Sequence, residues 1–455
     1  MNLARMLKAR ADVGRPVRVG LIGAGKFGSM FLSQVRTTPG LHLLGIADLS
    51  APRARAALER TGWDTDAAVA TSFDQALRTG RTMLTEDAEA LISADGLDVV
   101  IEATGSPAAG AAHALKAIAH DRHIVMVTVE ADVLVGPLLA THARQAGVVY
   151  SMAYGDQPAL VCEMVDWARC CGFHVVAAGK GTKYLPAYHA STPDTVWQHY
   201  GLTPEQAAEG GMNAQMFNSF LDGTKSAIEM AAIANAAGLA APSDGLLFPP
   251  CGVDDLATIL RPRSAGGVLE QSGTVETVSS IERDGRPVYR DLRWGVYVVF
   301  EAEPGSQGDY ARRCFKEYGV VTDSSGRYTA LYRPNHLIGL ELGVSVASAA
   351  LRGEPTGTTD AFNGDVVAVA KRALKSGEVL DGEGGHTVWG KVLPAAASLA
   401  RGALPIGLAH RVTLKRDIAA GNVVGWADVS IEDTAIVRLR REMERAFAGT
   451  AVAAQ

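Results

Sequence analysis

Apolar residues recur in short branched runs joined by glycine-rich turns, the pattern of strands buried on both faces. Val17–Ile22 (VRVGLI) predicts a first strand, and a helical spacing through Met30, Phe31 and Val35 follows it. Leu41–Ala47, residues 97–105, 123–129 and 148–152 predict further strands. The last apolar residue of the 123–129 run leads into Glu130, Ala131 and Asp132. Strands alternating with helices predict an α/β fold with a doubly wound parallel sheet. A helix through Cys162, Val165 and Trp167 and a strand over 173–178 open a second, mixed α/β region. Residues 184–212 lack periodicity and read as a functional loop. Residues 213–239 read as one helix weakened by Gly223, and residues 268–302 and 326–332 as antiparallel strands before an apolar helix ending at Leu351. A Gly/Thr/Pro linker at 353–360 precedes a small β-rich unit and a charged final helix. The expected domains are 1–155, 156–352 and 362–440.

The first strand runs directly into Gly23, Ala24, Gly25, Lys26, Phe27 and Gly28, a GxGxxG between strand and helix. Gly23 permits the tight turn, Gly25 admits a pyrophosphate to the backbone, and Gly28 lets the helix pack close. The helix N-terminus offers N–H groups and a positive dipole end to phosphates. Asp48 follows twenty residues after Gly28, where a carboxylate bonds the ribose 2′-OH of NAD and repels a 2′-phosphate. Arg53 and Arg55 soften that preference, so the expected cofactor is NAD or NADP, with NAD favoured. Thr104, Gly105 and Glu130 sit at strand ends that line the cofactor crevice.

In the 213–239 helix, Asn218, Asp222, Lys225 and Glu229 fall at i, i+4, i+7 and i+11, one stripe on an otherwise apolar rod if the helix is continuous. Buried ionised groups are costly unless paired or facing a wet cavity. The plainer alternative is a solvated stripe with a Lys225–Glu229 ion pair. Read as chemistry, Lys225 is a general acid/base whose pKa burial lowers toward the working range. Asp222 and Glu229 then orient it. Lys180, Lys183, Arg333 and His336 are candidates for holding the substrate, Arg333 through its planar fork.

Net charge of −6 over 455 residues leaves no basic field for nucleic acid or an anionic membrane. No apolar run reaches the roughly 18 residues of a membrane span, and the N-terminus has no secretory pattern, so a cytoplasmic protein is expected. Five cysteines without CxxC spacing indicate neither disulfides nor a metal site.

Nearly the whole chain resembles the homoserine-dehydrogenase-like Rossmann oxidoreductases with a C-terminal SAF domain. The likeness rests on VGLIGAGKFG (19–28), DVVIEATG (98–105), VEADV (129–133), GDQP (155–158), AGKG (178–181), FLDGTKSAIEMAAIAN (220–235), RYTALYRPNHL (327–337) and AVAKRALKSGEVLDGEGG (368–385). The resemblance implies an NAD(P)-binding domain, a mixed α/β catalytic domain, and a β-rich SAF module. It also implies that Asp222 and Lys225 correspond to an Asp and a Lys of the catalytic helix of homoserine dehydrogenases. One branch of the family resembles a 1-deoxy-D-xylulose-5-phosphate reductoisomerase using NADPH, from which this sequence departs at Asp48.

The expected function is NAD(P)-dependent hydride transfer to or from a small polar hydroxy or keto substrate, such as a sugar acid, polyol or hydroxy acid, by a homo-oligomer. One alternative is a reductoisomerase with NADPH and a divalent metal on carboxylates such as Asp156, Asp222 and Glu229. Another is a non-catalytic dinucleotide sensor or scaffold.

Overall fold

The computed structural model describes residues 2–303 and 305–449. The chain divides into two compact units. One holds the chain to Leu160 together with His336–Asp360, and the other holds Val161–Asn335 and the chain from Ala361 on.

The first unit is built on a seven-stranded parallel sheet. Its strands are β1 (Val17–Ile22), β2 (Leu41–Ala47), β3 (Val69–Ala70), β4 (Thr82–Thr85), β5 (Val99–Glu102), β6 (His123–Met126) and β7 (Tyr150–Met152), in the order β3-β4-β2-β1-β5-β6-β7. Order reverses beside β1, which pairs with both β2 and β5. Open α/β sheets bind ligands at such a switch point, outside the strands' carboxyl ends. The α/β, doubly wound fold expected above is therefore the one observed. Serine side chains cap two of the crossover helices: Ser50 accepts from Arg53 N at 3.3 Å and Ser106 from Ala109 N at 3.4 Å. The helix Gly343–Arg352 returns to this unit, burying Val346 and Ala347 in the same core as Leu3, Leu7 and Phe31.

One expected element differs. The 123–129 strand stops at Met126, and Val129 begins an 18-residue helix, Val129–Ala146. Glu130 thus lies in a first helical turn rather than at a strand end. Most of this helix is buried, so it carries no amphipathic period to read. Asp132, within it, is buried and accepts from the Tyr150 hydroxyl at 2.9 Å and from Thr359 at 3.1 Å. Burial pushes its carboxyl up to about 6 against those bonds.

The second unit contains β8 (His174–Thr182), β9 (Thr274–Ser279), β10 (Val296–Glu301), β11 (Val321–Thr322) and β12 (Tyr328–Arg333), ordered β11-β12-β10-β8-β9. The expected antiparallel sheet is mixed: β10 runs antiparallel to β8 and β12, but β9 is parallel to β8. A long crossover separates β8 from β9, as parallel pairing requires. The remaining strands are β13 (Gly364–Ala370), β14 (Val379–Asp381), β15 (Val388–Pro394), β16 (His410–Leu414) and β17 (Val429–Ser430). β13 pairs with β15, and β16 lies between β14 and β17.

The expected 213–239 helix is two. Ala214–Leu221 ends at Asp222, Gly223 takes a left-handed φ of 92°, and Thr224–Ala237 begins anew. That helix lies against β8 and β9 and also against β13 and β15, which explains why it is apolar all round. Residues 336–360 fall in the first unit and the β-rich segment in the second, where it has its own apolar cluster of Val367, Val369, Leu393 and Ala403. Asn235 fixes this join, its Oδ1 accepting from Asn363 N at 2.7 Å and Gly364 N at 2.8 Å.

Candidate active site

The dinucleotide loop sits at the carboxyl end of β1. Gly23 has a φ of 100°, and a Cβ there would lie 2.5 Å from the Ala103 carbonyl oxygen. Gly25 is extended, and a Cβ on it would meet nothing within 4 Å. The space above Gly25 is what a close-approaching pyrophosphate needs. Asp48 is buried at the end of β2 and accepts from Ala24 N at 2.8 Å through Oδ2 and from Ser50 N at 3.1 Å through Oδ1. Oδ1 also takes Arg53, from Nε at 2.8 Å and from Nη2. Arg53 therefore acts on Asp48 directly, and its 58% exposed side chain stands where a ribose 2′-substituent would be read.

Thr104 and Gly105 are fixed by Glu102, a strand residue to which the sequence assigns no role of its own. Glu102 has no exposed surface. It accepts from the Thr104 hydroxyl at 2.5 Å and from the Thr128 hydroxyl, and it lies 3.3 Å from His113 Nδ1. Thr128 in turn accepts from Gly105 N at 3.0 Å. One carboxylate thus pins the turns after β5 and β6, both at the crevice. The residues present fit a bound dinucleotide.

In the second unit, the break at Gly223 separates the expected stripe. Asp222, 0% exposed, does not orient Lys225: its Oδ2 pairs with Lys371 Nζ at 2.7 Å and its Oδ1 accepts from Thr224 N at 2.9 Å. Burial pushes the Asp222 carboxyl up, against the pull of Lys371 and Thr224. Glu229 pairs with Lys180, both buried. Lys225 lies half-buried in the first turn of Thr224–Ala237. Val296 pairs with Lys180 on one side and Arg333 on the other, so Lys180 and Arg333 share a sheet face, roughly 10 Å apart. The structure therefore gathers Lys180, Glu229 and Arg333 on the face against which the helix packs. Lys183 turns elsewhere, donating to the His199 carbonyl beneath the Tyr200 ring, and burial with Arg293 nearby lowers its pKa. His336 belongs to the first unit, in a loop preceding the helix at Gly343 rather than at a helix start.

Three further groups escaped the sequence reading. Lys371 donates to the Ser191 and Gly385 carbonyls, each at 2.7 Å, besides pairing with Asp222. His189 Nδ1 donates to the Asp222 carbonyl at 2.7 Å, so its Nε2 accepts from the Tyr184 hydroxyl at 2.8 Å. Burial lowers the His189 pKa to about 4, leaving the ring neutral and stacked on Trp389. Glu276, 1% exposed, accepts from Leu247 N, Phe248 N and Thr277 N, while Arg283 donates to the carbonyls of Leu247 and Phe248. That clamp holds Phe248 at a φ of 48°, with its ring 3.9 Å from that of Tyr184. No local sequence signal marks any of these groups, since each acts through distant chain.

Burial pushes the Glu276 carboxyl from its ordinary 4.5 up to about 7. Between those values the folded chain holds a proton that the unfolded chain has lost, so stability falls as pH rises through this window. The full loss is about 3 kcal/mol. Asp132 adds a similar slope that ends near 6. Urea denaturation of Glu276→Gln should show no slope from this site between about pH 6 and 7, where the native chain becomes less stable. An unaltered slope would mean that Glu276 is ionised throughout.

A family model for the NAD-binding domain of homoserine dehydrogenase matches residues 23–151. A second, for the catalytic domain of oxidoreductase DRL, matches residues 155–342. A comparison with curated proteins returns no match. Among solved structures, a probable dehydrogenase from Thermotoga maritima is 14% identical with a TM-score of 0.36, covering 74% of this chain and 90% of its own. A putative NADPH-dependent oxidoreductase from Desulfitobacterium hafniense is 11% identical with a TM-score of 0.38, over 75% and 89%. GenD2 of gentamicin A biosynthesis, solved with NAD, is 15% identical with a TM-score of 0.34, over 76% and 89%. The chain joins an NAD-binding domain of homoserine dehydrogenase type to an oxidoreductase catalytic domain, and its cofactor is NAD(P).

Proposed function

We propose that the protein transfers a hydride between NAD(P) and the CH–OH or C=O carbon of a small polar substrate, a sugar acid, polyol or hydroxy acid. The observation that carries this reading is the charged face of the catalytic unit: Lys180 paired with Glu229, Arg333 in the same sheet row, and Lys225 in the helical turn before Glu229. The dinucleotide, when bound, supplies the redox chemistry. Lys225 holds or releases the proton at the substrate hydroxyl or carbonyl oxygen. Glu229 fixes Lys180 so that its ammonium and the Arg333 fork meet an anionic or hydroxylated substrate. Asp222, anchored by Lys371, sets the turn from which Lys225 projects. Lys183 and His336 are secondary candidates for substrate contact.

The experiment is an initial-rate screen of NAD and NADP with sugar acids, polyols and hydroxy acids, followed by nicotinamide absorbance. Turnover of one of these classes without added metal is expected. Turnover confined to a ketose phosphate, needing NADPH and a divalent cation, would replace this reading with the reductoisomerase. Tight dinucleotide binding with no turnover of any kind would favour a sensor.

A further inference from the structure

A cavity of about 350 Å³ lies in the β-rich C-terminal segment, and no residue of the charged face described above lines it. Its walls include Arg401, Arg416, Trp426, Asp428 and Arg441. These come from three places in the chain: the end of the helix Ala395–Arg401, the segment from β16 to β17, and the helix Ala435–Phe447. Arg441 is held in place, its guanidinium 3.6 Å from the Trp426 ring centroid and its Nη1 donating to Glu444 at 2.6 Å. Asp428 is already engaged, pairing with Arg416 through Oδ1 and accepting from Gly425 N at 2.7 Å through Oδ2. Arg401 makes no hydrogen bond or ion pair among the described residues.

Three guanidinium groups therefore converge on a cavity whose own wall has one carboxylate, in a chain of net charge −6. Asp428 neutralises Arg416 and Glu444 neutralises Arg441, which leaves the Arg401 guanidinium as the charge in this wall without a carboxylate partner among the described residues. Guanidinium forks match the paired oxygens of carboxylates and phosphates. A volume of 350 Å³ falls within the range of small-molecule sites and exceeds what a bare ion fills.

We propose that this cavity binds the oxyanion of a small organic phosphate or carboxylate, taken by Arg401 and the Trp426-braced Arg441. The site is independent of the dinucleotide loop and of the hydride-transfer reading. A ligand there ties the helix Ala435–Phe447 to the helix Ala395–Arg401, so binding raises the melting temperature by linkage.

Calorimetric titration of the full chain with phenyl phosphate, citrate and inorganic phosphate tests it, using the wild type, Arg401→Gln and Arg401→Lys. Arg401 is exposed, so both variants should melt like the wild type without ligand. Phenyl phosphate or citrate should bind saturably with a Kd of ~1 mM or below. Arg401→Gln should weaken that binding about tenfold or more, Arg401→Lys should weaken it less, and NAD(P) affinity should not move. A phosphate ester preferred over citrate, or the reverse, identifies the oxyanion. The proposal is overturned by no saturable binding up to about 10 mM, by equal affinity in Arg401→Gln, or by inorganic phosphate binding as tightly as either organic probe.

Discussion

Lys225→Met lowers turnover about 10²–10⁴-fold, the range that loss of a general acid/base gives. The expectation rests on position. The left-handed Gly223 ends one helix and starts another, which places Lys225 in a first turn, half-buried, in the turn before Glu229 and its Lys180 partner. Methionine keeps the length and the apolar stem of lysine and removes only the ammonium. Because the dinucleotide's pyrophosphate and ribose are met by the glycine loop and Asp48, dinucleotide affinity should stay at the wild-type value. Steady-state kinetics with the substrate found by the screen, alongside a fluorescence titration of NADH, separates the two effects. Undiminished turnover removes Lys225 from the mechanism.

Lys371→Met destabilises the protein by about 3–5 kcal/mol, the cost of leaving a buried charge without its partner. The Lys371 side chain is 2% exposed, and its ammonium satisfies Asp222 and two backbone carbonyls at once. Removing it leaves Asp222 Oδ2 and the Gly385 carbonyl without that donor in the interior, while the Ser191 carbonyl keeps Asn218 Nδ2 at 3.1 Å. The double variant Lys371→Met with Asp222→Asn should recover a large part of the loss, because the stranded charge is then gone. Urea midpoints for the wild type, the single variant and the double variant measure this. A single variant as stable as the wild type would mean that water reaches Asp222.

What the sequence disclosed follows from the range of the interactions involved. The β1–Gly23–Gly28–Asp48 constellation is a short-range code, written within about thirty residues, and the chain folds there as the spacing predicts. The charged residues at 222, 225 and 229 were also visible, as was the weakness at Gly223. Their partners were not. A continuous helix predicts that Asp222 and Glu229 serve Lys225, whereas the fold delivers Lys371 from the β-rich segment and Lys180 from β8. The helix Val129–Ala146 was hidden for another reason: periodicity reports an interface with water, and this helix has almost none. The parallel pairing of β9 with β8 likewise depends on a crossover that no local pattern encodes. Tyr184 and His189 lie in the aperiodic stretch, where their roles come from contacts with Phe248 and Asp222.

Hydride transfer by this chain requires a dinucleotide on the turn after β1, and Gly25→Val tests that most directly. Gly25 has an extended backbone with open space where a side chain would go, so valine should cost the free protein only the small loss of a poorer helix N-cap, a drop of a few degrees at most in melting temperature. The same side chain would fill the place of the pyrophosphate. Calorimetric titration of both proteins with NAD and NADP should show saturable binding to the wild type and at least about a hundredfold weaker binding to the variant. Equal affinity for the two proteins, or no binding to the wild type by either dinucleotide, would contradict it.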